Sequence, residues 1–171
     1  MGLTITSRLL LDSNAKAEAA AVANAAVNRG CVGNVASMRD RCEAVGMPLI
    51  VEPIAFAWKD QAEDGSRGLK MDTRLSVTLP LVRLAMELGA DVIKADMTSD
   101  PEDFSTLIKV CSPRPVLVRG GAKGEWEAVL AKSRALMSSG ARGLVYGRNI
   151  IQHEDPRMAC QAFMEIVHST S

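Results

Sequence analysis

The chain is poor in aromatic residues, which make up 4% of its 171 positions. Packing must therefore rest on aliphatic side chains and methionine. It has two histidines, His153 and His168, too few and too far apart in sequence to announce a metal cluster. Its four cysteines are scattered and form no C-x-x-C pair, which argues against a disulfide framework or a zinc ribbon and for thiols in a reducing cytoplasm. No apolar run approaches the ~20 residues of a membrane span, and the N-terminus lacks a signal-peptide layout. Charge of one sign is not in excess, with 20 basic and 20 acidic residues. No global field draws the chain to nucleic acid or to a membrane, and no Lys/Arg cluster interleaved with aromatics suggests a nucleic-acid surface.

What is present is a rhythm. From residue 48 onward, short apolar runs alternate with amphipathic stretches. Strands are expected at 48–53, 92–96, 115–119 and 143–146, and helices at 74–88, 101–111, 124–139 and 156–168. Strands separated by crossover helices are parallel, and their continuous apolar runs mark strands covered on both faces. The expected class is α/β. Residues 1–47 read as an N-terminal helical segment, with helices at 15–29 and 34–45 separated at Gly30, and a strand or docking segment over 3–11. Residues 48–171 read as the βα units that carry the site, the whole forming a single domain. Residues 55–73 read as a long irregular loop, of a length usually associated with function or disorder.

Polar and glycine residues gather at strand C-terminal ends, the edge where α/β folds build their sites. Lys94 is the most informative of them. In a strand Val92, Lys94 and Asp96 share a face. A lysine in a buried strand is costly unless it is paired or chemically employed, and one employment is nucleophilic attack on a carbonyl to form a Schiff base. Asp96 and Glu52 are candidate proton carriers, although each also suits a structural salt bridge. Gly120 and Gly121 follow one strand, and Gly147 and Arg148 follow the next. Glycine turns that open onto helices let backbone N–H groups approach an anion, so the pair suggests a phosphate cradle. Tyr146 is expected to pack, His153 to be a polar loop residue, and Thr98 to Asp100 to cap a helix.

Val92-Ile93-Lys94, Gly120-Gly121-Ala122-Lys123 and Gly147-Arg148-Asn149-Ile150-Ile151-Gln152, in this order and spacing, resemble the archaeal-type class I fructose-bisphosphate aldolases within the deoxyribose-phosphate-aldolase-like superfamily. The resemblance covers roughly residues 45–168. It implies a (β/α)₈ TIM barrel, a homo-oligomer, and a metal-independent, cofactor-free lyase. It also implies Lys94 as the Schiff-base lysine and Gly120, Gly121, Gly147 and Arg148 as the seat of a phosphorylated small-molecule substrate. Two departures stand out. Where relatives carry a tyrosine at the end of the fifth strand, this chain has Ile54. A whole barrel needs about 250 residues, so the expectation is an incomplete barrel, roughly the last four to five βα units, in a fragment of a longer chain. The alternatives are a catalytically inactive phosphometabolite-binding partial barrel and a coenzyme-A-dependent acyl transferase of the same family.

Overall fold

The computed structural model describes residues 3–10, 18–58, 69–98 and 100–169. The expected cap at Asp12 to Asn14, the loop glycines Gly65 and Gly68, and Ser99 lie outside the described residues. The chain divides into two compact units, residues 1–93 and 94–171.

In the first unit, β1 (Leu3–Leu10) runs parallel to β2 (Leu49–Trp58), in register from Leu3 with Leu49 to Leu10 with Phe56. On its other side β2 meets the start of β4 (Val92–Ala95), also parallel, through Ile50 with Val92 and Val51 with Ile93. The Asp91 carboxylate accepts the Leu49 N–H at 2.8 Å, and the Asp91 N–H returns a bond to the Leu49 carbonyl. These two bonds pin the register at the strand start.

Three expectations are corrected in this unit. The segment before residue 48 does not consist of two helices split at Gly30. Helix α1 (Glu18–Ala44) is continuous through Gly30 and Gly33, and a Cβ at either position would meet no neighbour. A helical glycine costs about 1 kcal/mol relative to alanine but does not stop the helix. The stop comes at Gly46, which takes a φ of 64° that other residues rarely adopt. Second, Pro53 does not close its strand: β2 continues to Trp58, and the ladder gives up only the N–H that proline lacks. Third, 55–73 is not wholly irregular. β3 (Leu69–Met71) returns antiparallel along the end of β2, pairing Phe56 with Met71 and Trp58 with Leu69. Helix α2 (Leu75–Glu87) covers β2, burying Leu81, Val82 and Ala85, with Leu81 packed beside Ala55.

The second unit begins at Lys94 and follows the expected rhythm closely. Helix α3 (Pro101–Cys111) opens on a capping motif: the Asp100 carboxylate accepts the Glu102 N–H at 2.8 Å, and the Thr98 hydroxyl donates to the Asp100 carbonyl at 2.7 Å. Strands β5 (Val116–Arg119) and β6 (Gly143–Val145) are parallel, with Leu117 opposite Gly143 and Arg119 opposite Val145. Helix α4 (Trp126–Ser138) joins them. A four-residue helix α5 (Arg148–Ile151), too short to leave a periodic signal, precedes α6 (Pro156–His168). The core holds Phe104, Leu107, Val116, Val118, Leu136 and Phe163. No described helix is long and apolar enough to cross a membrane.

Candidate active site

Lys94 lies near the C-terminal end of β4. Burial along β4 alternates: Ile93 and Ala95 are fully covered, while Val92 and Lys94 are half-buried. The same alternation runs along β5, where Val116 and Val118 are covered and Leu117 and Arg119 half-buried. One face of these strands is sealed and apolar. The other is polar and reachable, and Lys94 is on it.

Asp96, half-buried, follows the end of β4, and the Arg119 guanidinium Nε donates to its Oδ1. Their side chains are only 13% and 20% exposed, so the pair is shielded from most of the water that weakens a surface bridge. Arg119 was not singled out from the sequence. The alternation of β5 already put it on the half-buried face, but an arginine at a strand end reads as ordinary surface charge until its partner is known. Glu52 belongs to the first unit. It sits on β2 in register with Thr6 and is 4% exposed, unusual for a carboxylate.

The two glycine turns are joined. The buried Asn149 side chain accepts the Gly124 N–H at 3.0 Å and donates to the Ala122 carbonyl at 3.4 Å, linking the turn after β6 to the turn after β5. Lys123 Nζ donates to the Gln152 carbonyl at 2.7 Å, and the Gly120 N–H to the Val145 carbonyl at 3.0 Å. Lys123 therefore clamps the two turns together. Gly120 has a packing reason to be glycine, because a Cβ would come within 2.7 Å of the Tyr146 ring. Gly121 and Gly147 have none: a Cβ at either would meet open space, and Gly147 has an ordinary negative φ of −110°. A depression of about 300 Å³ lies against the turn, lined in part by Met97, Gly121, Glu125, Lys132 and Tyr146. Arg148 is exposed at the start of α5.

The neighbouring aromatics are structural. Tyr146 packs edge-on against Phe163 at 5.0 Å, and its hydroxyl meets Ser133 Oγ at 3.0 Å. Burial pushes the phenol above its usual range, partly countered by the Ser133 hydrogen bond. His153 lies 4.5 Å from the Trp126 ring and accepts the Asp155 N–H. Thr98 and Asp100 cap α3 as expected. A larger depression, about 460 Å³, opens at the N-terminal ends of β5 and β6, beside Arg114, Arg142 and His168. Helices α3, α4 and α6 end there.

Comparison with known proteins identifies the family. Residues 17–153 match the DeoC/LacD family aldolases. An uncharacterized aldolase of Saccharolobus solfataricus is 34% identical over 138 residues, 80% of this chain and 47% of the relative. Fructose-bisphosphate aldolase class 1 of Thermoproteus tenax is 36% identical over 98 residues, 57% of this chain and 37% of the relative. Among solved structures, an archaeal fructose 1,6-bisphosphate aldolase superposes with a TM-score of 0.70 at 29% identity, over 82% of this chain and 52% of that one. The chain thus spans about half the length of the relatives it matches. The parallel α/β units are those of an aldolase TIM barrel, with about half the barrel represented. The chain belongs to the DeoC/LacD aldolase family.

Proposed function

We propose that this chain carries the reactive half of a class I aldolase, a metal-independent lyase that makes or breaks a carbon–carbon bond in a phosphorylated sugar or related carbonyl compound. The observation that carries this reading is Lys94, a lysine at the C-terminal end of a parallel strand on the half-buried polar face. Its amine adds to the substrate ketone, water leaves, and the iminium accepts the electron pair of the bond that breaks. Asp96 and Glu52 are the candidate proton carriers. Gly121 and Gly147, glycines that neither packing nor backbone conformation demands, leave room for a phosphate to approach the chain. Gly120 and Arg148 complete the seat. A soluble cytoplasmic homo-oligomer is the setting this reading implies.

The test is covalent trapping. Incubation with dihydroxyacetone phosphate and borohydride should add the reduced adduct to Lys94, read by peptide mass spectrometry. Lys94→Ala should add nothing. Adduct on another lysine, or on none, overturns the reading.

A second reading, a phosphometabolite-binding partial barrel without turnover, is favoured by Ile54. It occupies the position where the resembling aldolases carry a tyrosine, and it is buried at 5% exposure on β2. Binding of dihydroxyacetone phosphate without trapping would select it.

A further inference from the structure

Resting on the phosphate seat of the proposed function, we infer that Asn149 is a positioning residue. Its side-chain amide sets the spacing between the two glycine turns, and with it the affinity for a phosphorylated substrate.

The two turns follow different strands and have little of their own to hold them at a fixed separation. Ala122, Lys123 and Gly124 in the first turn are exposed, as are Gly147 and Arg148 in the second. Glycine adds conformational freedom to both. Among the described residues, the N–H groups of Gly121 and Gly147 have no protein acceptor, while those of Gly120 and Gly124 are engaged. A phosphate that accepts from both turns at once needs donors within about 2.7–3.2 Å of its oxygens. Moving one turn about 1 Å against the other takes one set of donors out of that range.

Asn149 supplies the constraint. It is 8% exposed, in contrast to Gly147 and Arg148 just before it. Both ends of its amide are used on the other turn: Oδ1 accepts the Gly124 N–H at 3.0 Å, and Nδ2 donates to the Ala122 carbonyl at 3.4 Å. These partners fix which way round the amide sits, since a flipped side chain would set N–H against N–H and oxygen against oxygen. One residue of the second turn thus grips two points of the first, which restrains its tilt as well as its distance. Asparagine offers an acceptor and a donor without charge. Ionised aspartate has the same shape but no donor, and it would set a negative charge beside the seat. Lys123, bonded to the Gln152 carbonyl at 2.7 Å, is a second tie, but an exposed one. The buried tie meets less competition from water.

The probe is inorganic phosphate, titrated by phosphorus NMR, with borohydride trapping of two ketones as the companion measurement. The parent chain should bind phosphate saturably. Asn149→Ala should weaken that binding about 10- to 100-fold, the usual contribution of one hydrogen bond to a charged group. The half-saturating concentration of dihydroxyacetone phosphate in trapping should rise by a similar factor. Trapping of dihydroxyacetone, which carries no phosphate, should stay within about twofold. Asn149→Asp, which keeps the shape and the Gly124 bond, should also weaken phosphate binding. Equal losses for the two ketones in Asn149→Ala would make Asn149 a folding residue and overturn the inference. Unchanged phosphate affinity in Asn149→Ala, or an Asn149→Asp variant that binds phosphate as tightly as the parent, would also overturn it. A parent chain with no saturable phosphate binding overturns the phosphate seat and this inference together. A chain that binds phosphate through Asn149 and traps neither ketone upholds the inference and overturns the Schiff-base reading alone.

Discussion

The two faces of β5 differ sharply. On one, Val116 and Val118 are at most 1% exposed, in a core that includes Phe104 and Leu107. On the other, Leu117 and Arg119 are half-buried, and Arg119 holds Asp96. Four residues therefore serve two tasks by alternation alone. The sealed face pays for the fold through apolar area removed from water. The open face keeps polar groups that would be costly if sealed without partners.

Substitutions on the two faces should separate stability from chemistry. The largest effect is expected from Val118→Asp. It puts a carboxylate where exposure is zero, so the chain should lose its cooperative unfolding transition in thermal or urea melts. Next comes Phe104→Ala, with an expected loss of about 3–5 kcal/mol in urea unfolding, from the transfer and cavity terms together. Lys94→Met is the counterpart on the open face. It should abolish trapping while changing urea stability by less than about 1 kcal/mol; a large loss of stability would erase the contrast between the faces.

Smaller effects refine it. The Cys111 thiol, fully covered on the sealed side, is pushed up by burial to about 11 from 9.0. A group whose folded value is raised stabilises the fold fully below its unfolded value and loses that contribution as pH rises through the folded one. Thermal stability should therefore decline between about pH 9 and 11, and Cys111→Ala should flatten that decline. The smallest change concerns neither face. Asp155 caps α6 by accepting the Arg157 and Met158 N–H groups at 3.0 Å each, and Asp155→Ala should cost about 1 kcal/mol with trapping untouched.

The second unit was the more legible in sequence because its elements are short, strongly patterned and locally punctuated. Asp100-Pro101 and Asp155-Pro156 announce the starts of α3 and α6, and Gly140 the end of α4. The first unit hid its strand β3 and the continuity of α1. β3 is three residues long and exists because it pairs with β2, which no local pattern reports. Gly30 and Gly33 carry breaker chemistry in a helix that continues regardless, since propensity is a weak force against a whole helix. In the site, Lys94 and the glycine turns could be read off because each sits at a strand end. Arg119 and Asn149 could not, because each acts through a residue more than twenty positions away.

By itself the sequence determined the α/β rhythm, the family, and the strand-end lysine proposed to carry the chemistry. Periodicity, capping and short motifs are local properties, written in neighbouring residues. Only the tertiary structure decided that Asp96 is gripped by Arg119, that Asn149 ties one glycine turn to the other, and that Tyr146 gives Gly120 a packing reason to be glycine. Those are hydrogen bonds and contacts across strands. Their partners meet only after the chain has folded, so no window along it contains both.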